Sequence, residues 1–481
     1  MAAASVLSAA RGLDRTLCEA HPPIMRIALL AASAASLLAI HPVHAADLAA
    51  TAAALRDKAL KDSTAWDVTE SLTTEVGARP QGSPGMDRAR DWGVAKLNSL
   101  GFENVHVETF EAVSWMRGAE SAEVVSPYPQ KLQILGLGRS TPTPAGGLEA
   151  EIALFKTLDE MLAQPPGALK GKIAVVTQKT RKTQDIKGYV AAVRARSSGG
   201  AEAAKRGAVA YLVRSISTDD TRLPHTGGGG VSGIPTAALS TPDADLLERM
   251  VARGKPVRIK LAMASTQRDK APGYNVVGEI RGREKPEEIV VIGGHLDSWD
   301  AGTGAVDDAA GIAITTAAAK LIADLPQRPR RTIRVVMWGA EEQGGSGPAY
   351  AEAHKAEVGN IIVAGESDLG AGEIFNAKLP QGSLGHPAMK AFAAAILPLN
   401  TIVSSEPAKN GGSDIAGLQQ LGVPVTEFQQ DAGRYFDLHH SADDTLDKVD
   451  PKELAQNVAV WAAFVYTVAD SDIDFRKAAG Q

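Results

Sequence analysis

Residues 288–325, EIVVIGGHLDSWDAGTGAVDDAAGIAITTAAAKLIADL, predict a β-strand, a loop and a long helix in succession. The short Val/Ile run at 288–292 favours a buried strand, and the apolar stretch at 309–325 has the length of a helix. The alternation continues downstream, with strands predicted at 332–337, 360–364 and 423–428, and helices near Tyr350 and at 386–397 and 453–468. Continuous Val/Ile runs that alternate with helices indicate an α/β fold, with a mostly parallel mixed sheet covered by helices on both faces.

The sequence upstream of Gly273 has a different pattern. Two helices are predicted at 48–61 and 89–100, and an Ala-rich helix at 200–206. Short β-rich runs separated by Gly, Pro and Asp lie at 151–154, 172–176, 209–213 and 257–261. This spacing predicts a compact β-rich domain of about 140 residues with a helix or two.

The N-terminal residues predict export. Arg26 forms a short basic region, residues 27–40 are apolar, and Val43-His44-Ala45 has the small residues of a cleavage site. This is the pattern of a secretory signal peptide at 25–45, so we expect a periplasmic or secreted protein. Residues 1–24 fit neither a signal peptide nor a domain, and we interpret them as a non-native leader upstream of a true start at Met25. The alternative is a cytoplasmic protein with an Ala-rich leader helix.

Charge and composition exclude several classes of partner. The chain has 481 residues, a net charge of −6 and no long basic run, so nucleic acid is not expected to bind. The apolar run at 27–40 is too short for a transmembrane helix, so we expect no membrane association once the signal peptide is removed. The single cysteine, Cys18, precedes the expected start. A metal site in the mature chain must therefore use His and carboxylate ligands.

Several predicted strands end in residues that bind metals. Ligands bind at the carboxyl ends of the strands in open α/β sheets, and the first strand runs into His295 and Asp297. A neutral imidazole is a good zinc ligand, and a nearby carboxylate fixes its tautomer. Asp307 and Asp308 come next in the sequence, directly before a predicted helix. A role in capping that helix is the simpler explanation for two carboxylates at this position. Each pair alone is weak support for a metal site.

Further candidates follow the next strands. Glu341 and Glu342 come directly after a buried run, where two crowded carboxylates need a cation or a shifted pKa. Asp368 follows the next strand, and His439 and His440 lie near the C-terminus. Neighbouring residues at a strand end point in different directions, so one glutamate can bind metal while the other faces the substrate. Taken together, these residues predict a metal site.

The motifs that carry these residues resemble a known family. The segments GARPQGSPG at 77–85, GGHLDSWDAGTGAVDDAAG at 293–311, AEEQG at 340–344, ESDLGA at 366–371 and HHSADDT at 439–445 match it in order. The chain resembles the di-zinc aminopeptidases of metallopeptidase family twenty-eight, and within it the carboxypeptidase Q branch. The resemblance implies a protease-associated domain at 118–267, inserted between peptidase-domain parts at 46–117 and 268–481. That branch is typically dimeric, so a homodimer is an expectation.

The resemblance also implies a role for each site residue. The implied metal ligands for two Zn²⁺ per chain are His295, Asp307, Glu342, Asp368 and His440. Asp307 is expected to bridge the metals, Glu341 to be the general base, and Asp297 to orient His295. His440 is preferred over His439 because it directly precedes Ser441.

Substrate contacts are expected from two further segments. The loop KNGGSDIAG at 409–417 matches a segment that lines the site, which points to Asn410, Ser413 and Asp414. Its alternative interpretation is a Gly-rich turn. Tyr435 is a candidate for stabilising the oxyanion.

The expected activity is that of a metalloexopeptidase that hydrolyses dipeptides and short peptides with a free N-terminus. The alternatives are an aminopeptidase on longer peptides, a single-zinc enzyme like the glutaminyl cyclases, and a non-enzymatic binding protein. The serines in this sequence lack the nucleophile-elbow pattern, which disfavours a serine hydrolase.

Overall fold

The computed structural model describes residues 45–477. The expected leader at 1–24 and all but the last residue of the predicted signal peptide at 25–45 lie outside the described residues. The helices are α1 Ala45–Ala59, α2 Thr64–Ser71, α3 Pro84–Ser99, α4 Leu158–Leu162, α5 Lys187–Ala192, α6 Arg194–Ser197, α7 Gly199–Lys205, α8 Thr241–Val251, α9 Ala310–Ala323, α10 Ser346–Ala353, α11 Pro387–Ile396, α12 Ala416–Gln420, α13 Tyr435–Leu438 and α14 Pro451–Ala469.

The strands are β1 Glu103–Ser126, β2 Gln130–Leu132, β3 Ile134–Gly136, β4 Leu148–Phe155, β5 Ile173–Val176, β6 Ala210–Arg214, β7 Thr236–Leu239, β8 Arg258–Ile280, β9 Lys285–His295, β10 Arg331–Trp338, β11 Ile361–Glu366, β12 Ile374–Lys378, β13 Ile402–Val403 and β14 Glu427–Gln430. Strands β12, β13 and β14 form a small separate sheet.

Three parallel strands lie at one end of the large sheet. Strand β9 pairs in parallel with β11 on one side and with β10 on the other. Strand β8 then pairs with β10 in the antiparallel direction, and β1 with β8 likewise. The mixed sheet predicted from the sequence is therefore confirmed, and its strands β11, β9 and β10 run in parallel side by side.

Helices cover both faces of this sheet. Val290 and Ile292 of β9 pack on the side of α1, α9 and α14, and their neighbour Val291 packs on the side of α10 and α12. Every residue of β10 is buried. Because both faces are apolar, these strands read as continuous hydrophobic runs, which made them recognisable in the sequence.

Residues 118–267, the insertion predicted from the sequence and hereafter the inserted segment, extend the sheet beyond β8. The long strands β1 and β8 form a ribbon that passes from the sheet of β9, β10 and β11 to β4, and β5, β6, β7 and β3 follow in that order. This segment has its own apolar clusters, around Ile259 and around Tyr211. It contains five helices, α4 to α8, so the expectation of a helix or two was too low. Four of them have only four to seven residues, which is too short for an apolar period to show.

The start of α9 lies unusually close to the end of β11. A Cβ atom on Gly311 would stand 1.9 Å from the carbonyl oxygen of Ser367. Glycine is needed here so that the helix can approach the backbone that leads to Asp368. Among residues 45–477, none of the helices is long and apolar enough to cross a bilayer.

Candidate metal centre

The carboxyl ends of three neighbouring strands meet at the candidate site. His295 is the last residue of β9, Glu341 and Glu342 follow β10, and Asp368 follows β11. Asp307 lies in the turn directly before α9, and its peptide bond to Asp308 is cis. His440 lies after α13. The parallel arrangement of the strands therefore brings together residues that are far apart in the sequence.

One half of the site forms around His295. Its Nε2 atom lies 2.9 Å from Asp307 Oδ1 and 3.5 Å from Asp368 Oδ1. His295 and Asp307 are buried, whereas the side chain of Asp368 is 21 % exposed. Asp368 therefore connects this half of the site to solvent.

The other half of the site forms around His440. Its Nε2 atom lies 3.1 Å from Asp307 Oδ2 and 3.1 Å from Glu342 Oε2. The two oxygens of Asp307 thus face different imidazoles. His439 Nε2 is 3.9 Å from the same Asp307 oxygen.

Two further aspartates support this arrangement through the backbone. The Asp297 carboxylate accepts hydrogen bonds from the backbone N–H groups of Glu341, at 2.9 Å, and of Glu342, at 3.2 Å. It also lies 3.6 Å from His295 Nδ1, which is closer, at 3.0 Å, to the main-chain oxygen of Asp297. The Asp308 carboxylate accepts from the backbone N–H groups of His295 and Gly311. Asp297 therefore fixes the loop that carries both glutamates as well as contacting His295.

The electrostatics of the site favour a bound cation. Burial raises the pKa of Glu341 well above its ordinary value, and the charges of Asp368 and Glu342 add to this rise. Burial also raises the pKa values of Glu342 and Asp368. Burial would raise the pKa of Asp307 too, but His295 and His440 hold it well below its usual range. Carboxylates crowded in this way are stabilised by positive charge, which metal ions supply.

The donor set fits zinc. Imidazole nitrogens and carboxylate oxygens are the ligands of catalytic zinc sites. Two overlapping groups of potential ligands lie close enough to share a metal ion. One group is His295, Asp307 and Glu342, and the other is Asp307, His439 and His440. Glu342 Oε1 is buried and has no hydrogen-bond partner among the described residues, which leaves it free for a metal. Two zinc ions that share Asp307 fit this arrangement.

A cleft of about 250 Å³ opens beside the site. Tyr435, Asn410 and Ser413 lie on its wall, together with Asp368 and His439. Asp414 is instead 3 % exposed and accepts a hydrogen bond of 2.6 Å from Ser346 Oγ. The structure thus brings three of the four candidate substrate contacts to the cleft and places Asp414 behind it.

Sequence reasoning missed several residues of this region. Glu366 lies on the cleft wall, and one of its oxygens is buried without a hydrogen-bond partner among the described residues. Ile186 and Tyr189 of the inserted segment form the opposite side of the cleft. Arg79 is fully buried and donates to the carbonyl oxygens of Thr303 and Gly304, which fixes the loop before Asp307. The motif GARPQGSPG was the signal for Arg79, whereas nothing local in the sequence identifies the others.

Comparison with known proteins gives consistent matches. Residues 275–465 match the model of peptidase family M28. Carboxypeptidase Q of Bos taurus is 39% identical over 404 residues, which cover 83% of this chain and 84% of that protein. The crystal structure of a peptidase M28 precursor from Shewanella amazonensis is 46% identical with a TM-score of 0.87, covering 90% of this chain and 98% of that one. A zinc aminopeptidase from Bacillus subtilis is 17% identical with a TM-score of 0.62, covering 86% and 96%, and shares the fold.

Proposed function

Because the chain belongs to peptidase family M28 and is therefore a zinc metallopeptidase, we propose that it is an exopeptidase for dipeptides and short peptides with a free N-terminus. The observation that carries this proposal is the position of Asp307, whose two oxygens face His295 and His440 at 2.9 and 3.1 Å. A carboxylate between two sets of ligands is suited to bridge two metal ions.

The ligands divide between two zinc ions. In this proposal His295 and Asp368 would hold one ion, Glu342 and His440 would hold the other, and Asp307 would contribute a carboxylate oxygen to each. When bound, the zinc pair would supply Lewis-acid polarisation of the scissile carbonyl and a water of lowered pKa. His440 is preferred to His439 because its Nε2 atom is near two carboxylates, whereas His439 lies on the wall of the cleft.

Glu341 is the general base in this proposal. Its neighbour Glu342 is committed to the metal, and the backbone of both residues is held by Asp297. Glu341 takes a proton from the attacking water and delivers it to the leaving amine. Tyr435, which lies on the cleft wall, is the proposed donor to the developing oxyanion.

The dimensions and charge of the cleft support short substrates. Its volume of about 250 Å³ is below the 300–1,000 Å³ typical of ligand pockets. Ile186 and Tyr189 of the inserted segment limit it on one side. The carboxylates of Glu366 and Asp368 on its wall suit a substrate ammonium group.

The proposal is tested by amino-acid release from free dipeptides, longer peptides and N-blocked peptides. The mature protein is assayed before chelation, after chelation and after zinc is restored. We expect zinc-dependent release only from substrates with a free amino end, fastest for dipeptides. Faster release from longer peptides would favour an aminopeptidase instead. No release by a protein that contains two zinc ions would overturn the peptidase proposal.

We also propose that the protein is exported, from the signal-peptide pattern at residues 25–45. N-terminal sequencing of the protein recovered from the periplasm or medium tests this. We expect a mature end near residue 46. A mature end upstream of Met25 would contradict both the signal peptide and the proposed start.

A further inference from the structure

The inserted segment makes direct contact with a proposed metal ligand. His440 Nδ1 lies 3.2 Å from the carbonyl oxygen of Thr226, and the Thr226 N–H donates to the His440 carbonyl at 3.0 Å. Thr226 belongs to the inserted segment, 214 residues away in sequence. Main-chain groups of Thr226 thus hold both the imidazole ring and the backbone of His440.

This contact determines which ring nitrogen of His440 has a lone pair available for a metal ion. Nε2 faces Asp307 and Glu342, so it must present a lone pair if a metal is to bind there. Nδ1 must then carry the proton, and the Thr226 carbonyl is its acceptor. The hydrogen bond made by the outer nitrogen of a metal-binding histidine fixes its tautomer and ring orientation.

Arg196 of α6 fixes the Thr226 carbonyl in turn. Its side chain is buried, its Nη1 atom donates to the Thr226 oxygen at 3.3 Å, and its Nη2 atom donates to the Tyr189 hydroxyl at 2.7 Å. Arg196 Nη1 is also 3.5 Å from His440 Nδ1. Because a guanidinium only donates, both groups direct their N–H bonds at the same carbonyl oxygen.

His440 needs such support because of its backbone. Its φ angle is +62°, a left-handed conformation that costs a non-glycine residue free energy. The preceding residue is held as well, since His225 Nδ1 lies 2.6 Å from the carbonyl oxygen of His439. Thr218 N–H donates to the Phe436 carbonyl at 3.1 Å. The inserted segment therefore makes hydrogen bonds to Phe436, His439 and His440, the stretch of chain that leads to the proposed ligand.

We propose that Arg196 and the Thr226 carbonyl orient His440 for metal binding, so that the inserted segment is a component of the metal centre. This inference rests on the proposed role of His440 as a zinc ligand. Arg196 is a positioning residue, because it acts through Thr226 and not on the substrate.

The test compares zinc affinity in variants of the full-length mature protein. Arg196→Met removes the donors and keeps most of the apolar length, Arg196→Lys restores a cation, and Arg194→Met is the matched control on the same helix. Arg194 is exposed. Both zinc dissociation constants are measured by competition with a chromophoric chelator, and the fold is checked by circular dichroism.

We expect Arg196→Met to bind one zinc ion as the wild type does and the other about 10- to 100-fold more weakly, the range for partners of metal-binding histidines. Excess zinc should restore part of its peptidase activity by filling the weakened site. Arg196→Lys should lie between this variant and the wild type, and Arg194→Met should match the wild type.

Unchanged affinity for both ions in a folded Arg196→Met variant would overturn the inference. If that variant does not fold, Tyr189→Phe decides, because it removes only the hydroxyl that accepts from Arg196. We then expect weaker binding of the zinc ion that His440 would hold, and a wild-type zinc affinity at that site would overturn the inference. A wild-type protein that binds fewer than two zinc ions would instead contradict the proposed function itself.

Discussion

At the scale of single residues, adjacent side chains at one strand end have different tasks. Glu342 is oriented towards His440, with its Oε2 atom 3.1 Å from the imidazole, and Glu341 is left for the reaction. Both backbone N–H groups are fixed by one carboxylate, that of Asp297. In the proposed mechanism, these hydrogen bonds hold the backbone of the two glutamates in place for their different roles.

Glu341→Gln tests the general base. The amide cannot take a proton, so we expect kcat to fall by about 10²- to 10⁴-fold while both zinc ions remain bound. Glu342→Gln is the matched comparison and should lose zinc. Steady-state kinetics and metal analysis after dialysis measure both effects. A Glu341→Gln variant with nearly full kcat would show that another group takes the proton.

The adjacent histidines allow an equally sharp comparison. His440 Nε2 lies 3.1 Å from two carboxylates, and His439 Nε2 lies 3.9 Å from one. We therefore expect His440→Ala to retain one zinc ion per chain and His439→Ala to retain two. Atomic emission after dialysis counts the metal. The opposite result would exchange the roles of the two residues.

At the scale of elements, the helices and strands of the peptidase part could be predicted because their patterns are local. Residues 289–292 of β9 and most of helix α9 are apolar, and the residues at or just after the ends of β9, β10 and β11 were recognisable as candidate ligands from their place at strand ends. The contact of Thr226 with His440 could not be predicted. It joins residues 214 apart, and Thr226 contributes only main-chain atoms, which leave no mark on residue type.

The close approach of α9 to β11 gives a prediction on stability. Gly311→Ala would place a Cβ atom 1.9 Å from the Ser367 carbonyl oxygen, so the helix or the loop before Asp368 must move. We expect a loss of about 1–3 kcal/mol of unfolding free energy and weaker zinc binding. Gly359→Ala is the control, because a Cβ there meets no atom within 4 Å. Equal melting temperatures for the two variants would contradict this account.

A half-buried histidine joins three elements of the fold. His354, directly after α10, contacts Glu108 of β1 at 2.7 Å as well as Glu357, and lies near Arg334 of β10. Burial would lower the pKa of His354, but the two glutamates raise it from 6.5 to about 9. Since the folded pKa is the higher one, this stabilisation is complete below pH 6.5 and is lost as the pH rises through 9.

His354→Gln tests this charge network. We expect the variant to be less stable than the wild type by about 2 kcal/mol at pH 6, and by little at pH 10. Denaturant unfolding at the two pH values measures the difference. A destabilisation that is the same at both would show that His354 contributes by packing alone.

At the scale of the whole molecule, the metal centre lies where two parts of the chain meet. The β1–β8 ribbon joins the strands of the peptidase part to those of the inserted segment. The inserted segment in turn contacts His440 through Thr226 and lines the cleft through Tyr189. The motifs of the sequence identified the family and the candidate ligands. The geometry that holds the ligands depends on both parts together.

The most direct test of the central claim is a zinc titration of the metal-free protein with a dipeptide substrate. The account predicts that amino-acid release rises until two zinc ions are bound per chain and then stays constant, and that the N-blocked dipeptide is never cleaved. Full activity with one zinc ion per chain, or cleavage of the blocked dipeptide, would contradict a two-zinc exopeptidase in which Asp307 is shared.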